Sequence, residues 1–363
     1  MASERPAIQT AFNVLHGEIK ELERGHALII KKNGTVKVSP CKDQLPRTAC
    51  SFERIYFSRG TDRDIYMERK KLGKLLFPRV LKEIDGDFEN TVFSFIPNTA
   101  EVAFYGFVDA IHEHLNKKKA RLIKEGNGKL STDEIELILN QNARIEKLAI
   151  KDEKLRTFIA DDSSRGEMIS HVYDVTYGVV KNYEDTIVVL DDSIVRGATL
   201  RDSILEILSR LKPKSIIVIS SAPQIRYPDC YGIDMSRMGE FAAFQALISL
   251  IKEEGKEDIL RQTYEKTKEL EAKGELNSCN MLQDLYGLYP YEQISDRISM
   301  ILTPEDINCD VKIIFQTIED LHSACPNNNG DWYFSGNYPT PGGNRVVNRS
   351  FINFIENKND RAY

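Results

Sequence analysis

The sequence predicts an α/β protein with a central, mainly parallel sheet flanked by helices. Three observations carry that reading. Apolar runs of strand length occur at residues 91–96, 187–190 and 215–220, continuous at 187–190 and mostly apolar at the other two, and read as buried strands. The first two runs lead into helical patterns, one over 102–115 and one from about Leu200, with Leu200, Ile204, Leu205, Leu208 and Leu211 on one face. Between the second run and its helix lies Asp191-Asp192-Ser193-Ile194-Val195-Arg196-Gly197-Ala198-Thr199, a short loop with two acids, a glycine and hydroxyls.

The bulk numbers bound the rest. The chain has 363 residues, enough for one large domain or two ordinary ones, and 41% are apolar, enough for a core. A net charge of −6 argues against a nucleic-acid-binding surface. Six cysteines without framework spacing suit a reducing cytoplasm. No run approaches the roughly 18 apolar residues of a membrane span, and the N-terminus is no signal peptide.

In chain order, His26 to Ile30 and Thr35 to Val38 flank Asn33-Gly34, a hairpin signal. Residues 40–48 read as linker. Residues 51–57 read as a strand. Residues 65–84 read as a helix burying Met67, Leu72, Leu75, Leu76 and Val80. Pro97-Asn98-Thr99 follows the 91–96 strand and is also an ordinary helix-opening turn. A charged helical stretch spans 112–147. Within it Ser131 and Glu134 have capping-box spacing. From Ser236 onward the chain reads mostly helical, by apolar spacing over 241–251 and charge pairs over 252–273. Residues 327–344, rich in Gly, Asn and Pro, read as loop, with Trp332 as a packing anchor. The mixed Lys, Asp, Glu and Ser composition of 147–164 reads as a mobile surface loop.

The 186–205 stretch carries the chemistry. A loop that opens a helix presents free backbone N–H groups to an anion, and the helix dipole adds to the pull. Gly197 allows close approach of a phosphate, and Ser193 and Thr199 can donate to its oxygens. Adjacent carboxylates repel a phosphate but accept well from a vicinal diol, at about 1.5–3 kcal/mol per bond. A ribose 5-phosphate offers both groups. A strand ending in an Asp N-cap would explain the acids without explaining the glycine and hydroxyls.

This run resembles the phosphoribosyl pyrophosphate (PRPP) loop of the type I phosphoribosyltransferases, in the form found in the amidophosphoribosyltransferases, also called glutamine PRPP amidotransferases. Three further stretches resemble that family in the same order. They are Cys50 to Arg59 with Arg69 to Leu76, then Ser220 to Asp234, then Phe334 to Thr340. The resemblance implies a type I phosphoribosyltransferase fold, with a helical C-terminal region and a small N-terminal β remnant. It divides the chain into 1–45 (the end of a glutaminase-type domain, with linker), 46–235 (the PRPP-binding domain, with the 112–147 insertion) and 236–363 (a helical extension). The family's N-terminal glutaminase domain opens with a nucleophilic cysteine, whereas the first cysteine here is Cys41. The chain is therefore expected to be the transferase part of a longer enzyme, with an upstream glutaminase domain as partner.

The family's site residues carry over position by position. Asp191 and Asp192 would hold the ribose diol and contribute to magnesium binding. Residues Ser193, Ile194, Val195, Arg196, Gly197, Ala198 and Thr199 would hold the 5-phosphate. Asn98 and Thr99 stand where the family has a carboxylate and a serine facing pyrophosphate. Lys151 and Arg156 match a basic loop that closes over PRPP. The residues between them, Asp152-Glu153-Lys154-Leu155, are one fewer and more acidic than in the family, and the family's Arg-x-Lys-Leu segment is replaced by Ser170-His171-Val172-Tyr173. Magnesium is implied with PRPP, because a pyrophosphate leaving group needs its charge neutralised. Many relatives hold an iron–sulfur cluster on four cysteines. Here Cys50 matches one position and Cys230 falls one residue beyond another, while Gly330 and Tyr333 occupy the last two, so no cluster is expected. The resemblance implies amidophosphoribosyltransferase activity in purine nucleotide synthesis, binding of purine nucleotides, and a homo-oligomer. A second reading remains open: a divergent homologue that binds PRPP or a purine nucleotide without turnover.

Overall fold

A computed structural model describes residues 1–151, 173–231 and 235–362. Its centre is a five-stranded sheet in the order β4-β3-β7-β8-β9. The strands are β3 (Thr91–Phe95), β4 (Arg144–Ile145), β7 (Thr186–Asp191), β8 (Ser215–Ser220) and β9 (Asp310–Phe315). All four pairings are parallel. Two smaller antiparallel pairs complete the strands: β1 (His26–Ile30) with β2 (Val36–Pro40), and β5 (Ala149–Lys151) with β6 (Tyr173–Val175).

The alternation of side chains along each strand builds two cores. Val92, Ile187, Val189, Ile216 and Val218 face a layer made by the helices Ala242–Glu253 and Tyr291–Leu302. Phe93, Val188, Leu190, Ile217 and Ile219 face the opposite layer. That layer is made by α2 (Arg63–Glu83) and α3 (Glu101–Glu125). The two helices cross closely because Gly73 meets the backbone of Ala103, and Gly106 that of Lys70. A Cβ at either glycine would overlap a carbonyl. The sheet is thus covered on both faces, as all-parallel strands require.

Several sequence expectations are met. The hairpin pairs Ile30 with Val36 across Asn33-Gly34. Ser131 and Glu134 close a capping box on α4 (Thr132–Leu139). Trp332 is buried against Tyr333 and Tyr231.

Four differ. Residues 51–57 are not a strand but a helical segment with a π-helical turn over Glu53–Phe57. Phe52 stacks on Tyr56 four residues on, at 6.0 Å, and Ile55 turns inward, which is helical rather than alternating spacing. α3 runs ten residues past its expected end, to Glu125. The 327–344 stretch holds a short helix, Trp332–Ser335, and the start of a longer one, Pro341–Ile355, with proline at its first turn. The mostly helical C-terminal stretch also supplies β9, which pairs with β8 along six residues.

Candidate active site

β3 and β7 are neighbours, yet the next strand of the sheet after β3 lies on one side and the next after β7 on the other. Their carboxyl ends therefore flank a topological switch point, where open α/β sheets bind ligands. The loop after β3 carries Asn98 and Thr99, and its Pro97–Asn98 peptide is cis. The loop after β7 carries Asp191 to Thr199. A cavity of about 580 Å³ opens between them. It is lined by Asn98, Thr99, Lys151 and every residue from Asp191 to Thr199. The structure thus brings together all the expected site residues but one. Arg156 lies outside the described residues, as does most of the 147–164 stretch.

Backbone bonds fix the loop on three sides. Ile96 N donates to Leu190 O at 2.9 Å, Ser221 N to Asp191 O at 2.9 Å, and Ala242 N to Val195 O at 2.8 Å. Ser221 Oγ adds a bond to Asp192 O at 3.1 Å. Gly197 has φ +76°, and a Cβ there would run into the Leu302 side chain. The turn therefore needs glycine both for its left-handed backbone and for that close approach. A π-helical turn over Leu200–Leu205 follows, and Arg201 N donates back to Gly197 O at 2.8 Å.

The acid pair sits half-buried at the end of β7. Asp192 N donates to Asp191 Oδ1 at 2.8 Å, and Ser193 Oγ to Asp192 Oδ2 at 3.2 Å. Burial, and then repulsion from Asp192, pushes the Asp191 carboxyl well above its ordinary value. Burial also raises Asp192, against the pull of its hydrogen bonds. Such a pair gains from a ligand that donates hydrogen bonds to it or brings a cation. Among the described residues no three His, Cys, Asp or Glu side chains converge as a metal site. The two carboxylates could supply oxygen ligands to a hard cation that keeps the rest of its shell from phosphate and water. Arg196 lines the cavity with its guanidinium Nε 2.6 Å from the Glu240 carboxylate.

Sequence reasoning missed the apolar and phenolic side of the cavity. Tyr56 and Phe57 line it from the helical segment misread as a strand, and Met235 lines it too. Tyr173 lines it from β6, directly paired with Lys151 across the β5–β6 ribbon. Burial, with Asp191 and Asp192 adding to it, raises the Tyr173 phenol to about 12. The Tyr-Phe pair stood inside a stretch that resembled the family, and that was its only signal.

Two of the four positions expected to match cluster ligands are not cysteine. Residue 330 is a glycine whose carbonyl accepts from Ser51 N at 2.8 Å. Tyr333, fully buried, donates its hydroxyl to Asp229 Oδ1 at 2.6 Å. A hydrogen-bonded phenol and a backbone bridge thus stand where two thiolates would be needed, and burial pushes the thiols of Cys50 and Cys230 up to about 11. Tyr333→Phe should lower the unfolding free energy by about 1–3 kcal/mol in urea, because Asp229 loses a buried donor.

This fold and its loop are similar to those of the type I phosphoribosyltransferases. The chain's particular relatives are the amidophosphoribosyltransferases. It is 26% identical over 232 residues to that of Pasteurella multocida, covering 62% of this chain and 40% of the relative. It is 28% identical over 251 residues to that of Bacillus subtilis, covering 67% and 44%. The chain thus spans well under half the length of the curated relatives it matches. No family model matches. Among solved structures, the glutamine PRPP amidotransferase of B. subtilis complexed with ADP and GMP shares the fold. Its TM-score is 0.53 at 23% identity, over 89% of this chain and 53% of that one. No helix among the described residues is long and apolar enough to cross a membrane.

Proposed function

We propose that the chain is the transferase part of an amidophosphoribosyltransferase in purine nucleotide synthesis. Ammonia derived from glutamine attacks C1 of PRPP. The bond from C1 to the pyrophosphate oxygen breaks, a C1–N bond forms, and 5-phosphoribosylamine and pyrophosphate leave with loss of a proton from nitrogen. The observation that carries this reading is the single cavity at the switch point, where Asn98, Thr99 and Lys151 face the Asp191–Thr199 loop.

In this reading Asp191 and Asp192 accept from the ribose diol, and the loop's N–H groups and hydroxyls take the 5-phosphate. The pyrophosphate lies toward Asn98 and Thr99, at the amino end of α3, whose dipole favours negative charge. Lys151 brings a cation to the leaving group. Asp191 and Asp192 would contribute oxygen ligands to a magnesium ion bound with PRPP, which would offset the charge of its phosphates. Catalysis is then mostly orientation and charge stabilisation around an oxocarbenium-like transition state. The glutaminase body, purine nucleotides and further copies of the chain are its proposed partners, and the cytoplasm its proposed compartment. No iron–sulfur cluster belongs to this proposal. The purified chain should be colourless, and a brown preparation with stoichiometric iron would overturn that part.

One observation favours the sensor reading instead. Among the described residues two cations line the cavity, Lys151 and Arg196, and Arg196 is paired with Glu240. Release of pyrophosphate from PRPP and magnesium, dependent on added ammonium ions, separates the two. Steady release supports the transferase. Tight PRPP binding without release supports the sensor.

A further inference from the structure

Arg69 has no part in the chemistry above, yet it is a charged side chain only 5% exposed in the middle of α2. Its fork reaches across to the Glu53–Phe57 turn. Nε donates to Arg54 O at 2.9 Å, and Nη2 donates to Ser58 O at 2.7 Å and to Tyr56 O at 3.4 Å. These are carbonyls at the end of a single helical turn, which has no further turn of its own to satisfy them. A planar guanidinium can serve several carbonyls at once, and an ammonium cannot. The same turn carries Tyr56 and Phe57 into the cavity, each nearly half exposed. Their ring contacts are with each other and with Phe52, which is itself buried against Tyr333 and Phe334, so the rings are held on one side by the core and the backbone beneath them by Arg69. Burial acts against the Arg69 charge, and the Asp192 carboxylate acts in its favour.

We propose that Arg69 is a positioning residue that holds the Tyr56–Phe57 wall of the cavity at a fixed distance from Asp191 and Asp192. It touches neither ligand nor reacting atoms. It acts through the three carbonyls it ties down. A PRPP molecule on the Asp191–Thr199 loop then meets a preformed wall rather than a mobile one. The inference rests on the PRPP reading only for its affinity arm.

The test uses the full chain with Arg69→Met, Arg69→Lys and Gly60→Ala, and with Arg79→Met as a control. Arg79 also ties α2 to a carbonyl, that of Phe315, but away from the cavity. Two quantities are read: hydrogen exchange of the amides of residues 54–58, and the calorimetric Kd for PRPP with magnesium. Arg69→Met is expected to speed exchange of those amides about tenfold or more while those of β7 stay protected. It is expected to raise the Kd about tenfold or more. Arg69→Lys should fall between it and wild type, and Arg79→Met should stay within about twofold of wild type. Wild-type exchange and affinity in Arg69→Met would overturn the proposal, and so would an equal loss in Arg79→Met. Should Arg69→Met fail to fold, Gly60→Ala decides. Its new methyl group would stand 3.0 Å from Arg69 Nη1 and oblige the fork to shift by a few tenths of an ångström with the charge kept. Faster exchange over 54–58 supports the proposal there, and unchanged exchange overturns it. A wild-type chain that does not bind PRPP would remove the functional reading, and the exchange arm would still decide the role of Arg69.

Discussion

Replacing both Asp191 and Asp192 by alanine should reduce PRPP affinity by about 10²–10⁴-fold, read by calorimetry with magnesium present. The estimate follows from two charge-assisted acceptors at about 1.5–3 kcal/mol each. It is not additive in detail, because the two carboxylates interact. The variant should nevertheless fold at least as well as the parent. Burial raises both folded pKa values above the ordinary 3.8, and repulsion from Asp192 adds to the rise at Asp191. An acid with a raised folded pKa binds its proton more tightly when folded. Its contribution to stability is therefore present below the unfolded value and is lost as pH rises through the folded one. Above the unfolded values the pair therefore disfavours the unliganded fold, so alanine at both sites removes a burden there. A loss of affinity together with an undiminished unfolding midpoint would assign the effect to the diol site and not to unfolding. Unchanged affinity would remove the diol assignment.

The second large effect concerns Lys151. It ends β5, exposed, opposite Tyr173, with its side chain on the cavity. A cation there stabilises charge that grows on the leaving pyrophosphate as the C1–O bond breaks. Removing one such preorganised group typically costs about 2.7–4 kcal/mol in the transition state. Lys151→Ala should accordingly lower ammonium-dependent turnover by about 10²-fold and leave PRPP affinity within a few-fold. Equal turnover in parent and variant would mean that another group supplies the charge. PRPP binding without turnover in either would favour the sensor.

The legible part of the site was the part that is contiguous in sequence. Ile187 to Thr199 encodes strand, acids, turn and helix start in one run, and each feature has a local cause. The buried strands were legible for the same reason, because an apolar run of β-branched residues needs no partner to be seen. Residues 51–57 were misread because Phe, Ile and Tyr favour strands by propensity, while the deciding contacts are tertiary: Arg69 on the carbonyls, and Phe52 against Tyr333 and Phe334. β9 was missed because it is one short strand in a stretch dominated by helical spacing, and only its pairing with β8 gives it away. Tyr173 was invisible as a site residue, since the antiparallel partner that carries it to Lys151 lies 22 positions along the chain. Tertiary closure, not propensity, decided each of these.

The most direct measurement is a crystal structure of the chain with PRPP and magnesium. The ribose diol is expected within hydrogen-bonding distance of the Asp191 and Asp192 carboxylates. The 5-phosphate is expected on the backbone N–H groups of residues 195–199, and the pyrophosphate toward Asn98, Thr99 and Lys151. PRPP ordered at any other surface, or a cavity left without ligand at saturating PRPP and magnesium, would contradict this placement.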